Sequence, residues 1–354
     1  MNHYPSNVKE KLNSIILSMA EHHWLFSQNP GHDFTRQHLG KLSFYDTMRL
    51  IISMGKGSTN DEIMDYFDLD PDLIPSQSAF CQRRRQISLS AFEYLFSEFS
   101  SSFPSTTDKF KDHCILACDG CHVVYATNSD IIEDYNKPRL IDYKGYNHMH
   151  LNGFVDVISK AFLDVVIQPG QQPDEREALH SMLDHFTPDD PQKYIITADR
   201  GYESYDLLFH CELKNLGYVF RVKSPSSPKS ILSYYASELP DDLEEFDVTI
   251  KRFFTDKATN IMKSQSDVYR YINPSKNTPH FYELLRKKHS HLYFLQFRVV
   301  KIKTSENTYE YLITNLPFSF TLDDIRECYH WRWGIEISFR YLKHAAGLLY
   351  FHSK

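Results

Sequence analysis

The chain has 354 residues, a net charge of −7, 42% hydrophobic residues and 14% aromatics. That length suits two or three units, or one domain with a large insertion, and the apolar content excludes a disordered chain. No apolar run approaches the roughly 18 residues of a membrane span, and "MNHYPSNVKEKLNSIILSMAEHHW" lacks a basic segment followed by a signal-like apolar stretch, so a cytoplasmic protein without a membrane partner is expected.

The acidic balance does not exclude nucleic acid, because a local patch does the binding. The six cysteines include Cys114, Cys118 and Cys121, and Cys118-x-x-Cys121 raises a zinc reading. No second Cys/His pair follows at finger spacing. Free, buried thiols in a reducing compartment are the expectation.

Residues 1–110 read as helical. In "LSFYDTMRLIISMGKGSTNDEIMDYF", Ser43 and Asp46 form a capping-box pattern, Gly55 and Gly57 stop the helix, and Ser58 or Thr59 with Asp61 and Glu62 starts the next. A third helix ends in Arg83-Arg84-Arg85, and a fourth begins near Ser88. Short helices around a glycine turn, then a basic helix, fit a helix-turn-helix-like DNA reader. A helical bundle with one solvated basic turn fits equally.

"DHCILACDGCHVVYA" opens a β-rich section, read as two short strands with a turn at Asp119-Gly120. "GFVDVIS" and "AFLDVVIQP" follow as strands, and "DEREALHSMLDHF" is a helix. "KYIITADRGYES" is an apolar strand ending at Asp199, followed by the helix "YDLLFHCELKNL" and the strand "YVFRVK". Strands in series, then alternating helix and strand, give an α/β mixed sheet. Residues 224–308 break this rhythm with turn-rich and strand-like pieces and read as a β-rich insertion. "TYEYLITNLP" returns to a core strand, and Thr321 starts a final helix with Asp323 and Asp324 in its first turn.

At about 100° per residue that helix places Tyr329, Arg332, Glu336 and Lys343 within an arc of about 60°, beside an apolar stripe of Trp331, Ile335, Phe339 and Leu342. Alone, this pattern is an ordinary surface helix with charge pairs worth tenths of a kcal/mol. Its company changes the reading. Asp119 and Asp199 each stand at the end of a short apolar strand, where open α/β sheets form their sites. A lone strand-end aspartate is more often a turn residue. Two of them with Glu336 offer oxygen ligands for two divalent ions, which can clamp the attacking and leaving oxygens of a phosphoryl transfer. Arg332 and Lys343 suit phosphate contact, and Tyr329 can offer a hydroxyl or a ring.

These residues carry a resemblance. Tyr329-x2-Arg332-x3-Glu336-x6-Lys343 resembles the Tyr-Arg-Glu-Lys signature of a group of bacterial insertion-sequence transposases with DDE chemistry. "ACDGCHV" resembles the family's first-aspartate strand, "ITADRGYES" its second-aspartate segment and "LITNLP" the strand before the glutamate helix. "SQSAFCQRRRQIS" resembles the family's N-terminal region, so the resemblance runs from about residue 30 to 354.

The resemblance implies a ribonuclease-H-like mixed α/β fold in four parts: a helical DNA-binding domain over 1–110, the first part of the core over 111–223, a β-rich insertion over 224–308, and the core's last strand and helix over 309–354. It implies catalytic, metal-binding roles for Asp119, Asp199 and Glu336, with two Mg²⁺ ions for which Mn²⁺ can substitute. Tyr329, Arg332 and Lys343 would contact the DNA end, Arg200 and Tyr202 would help hold a distorted strand, and Arg83, Arg84 and Arg85 would bind DNA. The implied reaction is cut-and-paste transposition: nicking at terminal inverted repeats, hairpin formation and reopening, and joining to target DNA, within a homodimer. The chain departs from the pattern twice. It has no tryptophan between residues 200 and 330, so another aromatic would stack on a flipped base. It also ends eleven residues after Lys343, where such proteins usually continue. A truncated relative that binds element ends without completing transposition, and a metal-dependent nuclease of the same fold, are the competing readings.

Overall fold

A computed structural model describes residues 4–35, 42–102, 109–137, 145–257, 259–273 and 278–349. In chain order the helices and strands are α1 (Tyr4–Glu21), α2 (Phe44–Ser53), α3 (Thr59–Tyr66), α4 (Gln77–Arg84), α5 (Leu89–Ser101), β1 (Cys114–Tyr125), β2 (Tyr135–Asn136), β3 (Tyr146–Asp156), β4 (Ala161–Pro169), α6 (Glu175–His185), β5 (Tyr194–Ala198), α7 (Tyr205–Leu213), β6 (Gly217–Val222), β7 (Phe246–Thr255), α8 (Asn260–Ser264), β8 (Tyr269–Tyr271), α9 (Pro279–Lys287), β9 (Leu292–Ser305), β10 (Thr308–Thr314), α10 (Leu322–Trp331) and α11 (Trp333–His344). They fall into two compact units. The first comprises residues 1–104, 123–148 and 339–354, and the second residues 105–122 and 149–338.

The first unit is mainly helical because its segments carry caps and one apolar face. Ser43 and Ser58 each close a capping box, with Asp46 and Asp61 returning the bond to the cap's backbone N–H. Phe44 and Met48 of α2 pack with Ile15, Ile16 and Met19 of α1 and Ala91 and Leu95 of α5. Leu50 joins Leu42, Ile63 and Phe80 in a second cluster, so α2 serves two small cores. The expected basic turn is only partly solvated. Arg83 stacks over Phe34 and Arg84 over Phe80, which leaves Arg85 as the exposed member of the three.

The second unit is a mixed sheet with helices. β3, β1, β5, β6, β10, β9, β7 and β8 are neighbours in that order, and β4 pairs with β3. β1, β5 and β6 run parallel, and β10 lies antiparallel to β6. This is the α/β, ribonuclease-H-like arrangement the sequence led us to expect. Ile115, Leu116, Ala117, Ile195 and Ile196 are fully buried, as parallel strands covered on both faces require. Leu179, Met182 and Leu183 of α6 and Leu207 and Leu208 of α7 belong to the same core. Burial of each such side chain contributes about 1.5–3 kcal/mol.

Two local expectations change, and the late strands join the core. β1 is one 12-residue strand that passes straight through Asp119-Gly120, without a turn. Pairing to β5 holds the chain extended up to that point, and Asp119 takes its own next-door Gly120 N–H at 2.9 Å. Residues 246–305 are β-rich and continue the core sheet, with β9 pairing to β10 along seven residues and to β7 along ten. The final helix is two helices. Arg332 is the C-cap of α10, with bonds from Arg332 N to the Tyr329 carbonyl and from Ile335 N to the Arg332 carbonyl, and α11 starts at the next residue.

Candidate active site

The candidate site lies where the parallel pairing of β1 with β5 ends, midway along β1 and just past the end of β5. The β1–β5 register pairs Ala117 with Thr197, and carrying it two residues further sets Asp119 level with Asp199 on the neighbouring strand. Asp199 Oδ1 accepts the Gly201 N–H at 2.6 Å and caps the short 3₁₀ turn Arg200–Tyr202, which fixes where its carboxylate points. Asp119 is half-buried. Burial first, and then the charges of Asp199 and Glu175, push its carboxyl up to about 6 against the pull of the Gly120 N–H and Arg332.

Arg332 ties the terminal helices to the strands. It is buried (5% exposed) and lies 3.6 Å from Asp119 and 3.1 Å from Glu336, so one guanidinium bridges two carboxylates that are 217 residues apart in sequence. The break between α10 and α11 falls at this residue. Tyr329 is buried too (3% exposed), with its ring 5.5 Å from the Arg332 guanidinium carbon, whereas Trp331 is 39% exposed. Tyr329 and Arg332 thus point inward with Ile335 and Phe339, and Trp331, expected on the apolar stripe, lies at its outer edge.

A fourth carboxylate stands in the same place. Glu175 opens α6, and its Oε1 lies 3.1 Å from Nε2 of the buried His150 on β3. A Cβ added to Gly120 would fall 2.7 Å from Glu175 Oε1 and 2.2 Å from His150 Nε2, and one added to Gly201 would fall 3.5 Å from Glu175 Oε2. Gly120 is thus there for close approach and makes room for Glu175 and His150, whereas a Cβ on Gly201 would meet Glu175 at ordinary contact distance and crowd Asp199 Oδ1 at 2.9 Å. Sequence reading missed Glu175 and His150. A glutamate in the first turn of a helix is ordinary dipole chemistry, and only the bare Gly120 and Gly201 hinted that something comes close.

The structure thus brings together Asp119, Asp199, Glu336 and Arg332, with Tyr329 behind Arg332. Arg200 is exposed directly after Asp199. Tyr202 corrects an expectation: it is fully buried, with its hydroxyl accepting from the Cys118 thiol at 3.5 Å, so here it is packing beneath the two aspartates and not a surface that touches DNA. Lys343 lies on α11 seven residues beyond Glu336 and is partly exposed. Among the described residues the cysteines form no disulfide and no ligand cluster.

The family model described as "Transposase DDE domain" matches residues 110–354. The chain belongs to that family. The matched span of this DDE domain holds Asp119, Glu175, Asp199, Arg332 and Glu336 together. No curated protein matches it. Of solved structures, the DDE-domain chain is similar to the piggyBac transposase in a synaptic complex with hairpin DNA, at 11% identity and a TM-score of 0.41, covering 86% of this chain and 60% of that one. It is also similar to endonuclease V of Ciona intestinalis bound to a 24mer DNA containing an inosine followed by a ribo-adenosine, at 9% identity and a TM-score of 0.27, covering 73% and 98% of the two chains. Among the described residues no helix is long and apolar enough to cross a membrane.

Proposed function

We propose that this chain is a transposase that cuts DNA at the ends of an insertion element and joins them to a target. The observation that carries the reading is the bridge that one buried guanidinium, Arg332, makes between Asp119 and Glu336, with the charges of Asp199 and Glu175 close enough to raise the Asp119 carboxyl. Four carboxylates against one cation leave an excess of negative charge, and all-oxygen donors suit hard divalent ions. Asp119, Asp199 and Glu336 would hold two Mg²⁺, with Glu175 beside them, and Mn²⁺ could substitute. Such ions, when bound, supply an activated water or 3′-hydroxyl and neutralise the phosphate under attack.

The chain's own residues do the rest. Gly201 and Gly120 N–H groups fix the two aspartates, so the donors are set before substrate arrives. Arg332 offsets the repulsion between Asp119 and Glu336 and keeps α11 docked to the strand ends. Arg200, exposed beside Asp199, and Lys343 supply cations for the phosphodiester backbone, and Arg85 adds a contact in the helical unit. The DNA partners would be terminal inverted repeats and target DNA, held by a homodimer through nicking, hairpin formation and joining.

The test is cleavage of a labelled element end. Asp119→Asn, Asp199→Asn and Glu336→Gln should each abolish Mg²⁺-dependent cleavage, by about 10³-fold or more, while the DNA-binding isotherm stays within a factor of a few. Cleavage by the triple variant at the parent rate would remove the catalytic assignment. Cleavage without joining by the parent would leave a nuclease.

A further inference from the structure

Away from the strand ends, three histidines from separate elements converge. His180 lies on α6, His210 on α7 and His280 on α9, and one ligand atom from each lies within 4.8 Å of the others. Their rings stack almost parallel, with centroids 3.8 Å apart for His210–His280, 4.4 Å for His180–His280 and 5.1 Å for His180–His210. We propose that His180, His210 and His280 form a structural binding site for one borderline transition ion of the Zn²⁺ type, which fastens helix α9 to core helices α6 and α7.

Three observations point there. The first is the arrangement of carboxylates behind the rings. His280 Nδ1 lies 2.7 Å from Asp206 Oδ2, and His210 Nε2 lies 3.2 Å from Asp184 Oδ1. A carboxylate behind one ring nitrogen fixes the proton there and leaves the other nitrogen bare, the outer-shell pattern of metal-bound imidazoles. The second is a proton conflict. His210 Nδ1, left bare, faces His180 Nδ1 at 2.9 Å. His180 can fill that gap only by carrying its proton on Nδ1, which turns a bare Nε2 toward Asp206 Oδ2, 3.6 Å away. A divalent cation accepts both Nδ1 lone pairs and frees the His180 Nε2–H for Asp206. The third is distance. Zn–N bonds of about 2.0–2.1 Å put tetrahedral ligands about 3.4 Å apart, inside the 4.8 Å that spans the three ligand atoms, and the near-parallel rings must turn out of their stack to aim at one ion.

Burial, and then the neighbouring His280, hold His180 down to about 4 and His210 down to about 2, so both rings are neutral and able to ligate near pH 7. Asp206 is itself buried, and its Oδ1 accepts the N–H groups of His280 and Phe281 at the start of α9, which places that helix by two routes. Imidazole nitrogens select Zn²⁺, Co²⁺, Ni²⁺ or Cu²⁺ over Mg²⁺, so this site and the carboxylate site take different ions.

The experiment uses the full chain with Asp119→Asn, Asp199→Asn and Glu336→Gln, which removes the carboxylate site and separates this question from catalysis. Titration with Co²⁺ should give one equivalent of bound ion with d–d absorption stronger than aquated Co²⁺. Loading with Zn²⁺ should raise Tm by about 5–10 °C over the chelator-treated protein, and His180→Asn or His280→Ala should remove both effects. No bound Co²⁺ and no Tm shift in this folded protein would overturn the site, whatever the histidine variants do. Equal binding by the histidine variants would do the same.

Discussion

At the residue scale, the two glycines beside the aspartates are as exacting as the carboxylates. Gly120→Ala would drive a Cβ into His150 and Glu175, and His150 is too buried to swing aside. We expect the variant to lose about 1–3 kcal/mol of stability and most of its cleavage. Glu175→Gln keeps the shape and a partner for His150 but removes a charge, so it should slow cleavage about 10–100-fold with little change in Tm. End-cleavage rates across a range of Mg²⁺ concentrations, read beside thermal melts, check both, and a Glu175→Gln enzyme at the parent rate would place Glu175 outside the chemistry. Asp119, Asp199 and Glu336 stood out in the sequence because the first two end short apolar runs and the third sits in a spaced signature. Glu175 did not, because its approach to Gly120 is tertiary and no local pattern encodes it. Nor did spacing show that Tyr202 would be buried: its neighbours Asp199 and Arg200 are partly or fully exposed, and the 3₁₀ turn between them points the ring inward.

At the element scale, caps and alternating burial were readable and helix continuity was not. The capping box at Ser43 is present as the sequence suggested, and the helix start expected at Thr321 proves to be a capping box too, because Ser or Thr followed three residues later by Asp satisfies backbone donors at the helix start. Thr321→Ala should therefore cost about 0.5–2 kcal/mol, seen as a lower denaturant midpoint. A midpoint unchanged within error would mean that Asp324, which also pairs with Lys111, holds the helix start alone. The irregularity at Arg332 is slight, since the residue keeps right-handed helical angles (φ −51°, ψ −33°), and it falls two residues before Gly334, whose bare Cα packs against Val157. β1 was misjudged because Asp-Gly is a good turn pair, but pairing of residues 114–117 with β5 keeps the strand extended.

At the scale of the second unit, one buried cation joins the late strands to the approach of the terminal helices. Arg298 on β9 forms a two-bond pair with Asp247 on β7 and donates to the carbonyls of Leu316 and Pro317, just before α10. Arg298→Met should cost about 3–5 kcal/mol, since it strands a carboxylate and two carbonyls, and equilibrium unfolding in denaturant would measure it. A loss under 1 kcal/mol would show that the β9–β7 ladder suffices. The wide spacing of the carboxylates has a temporal side. A ribosome makes Asp119, Glu175 and Asp199 early, then must add the strands of 246–314 before Glu336 and Arg332 exist. Pairings this remote close slowly, against a large loop entropy, and domains fold as units while synthesis proceeds at roughly 5–20 residues per second. For several seconds of every synthesis the chain carries the first three acids without the residues that complete their charge balance. Under the proposed function, the order in which its parts are made would keep the nascent chain inert until Arg332 and Glu336 are added.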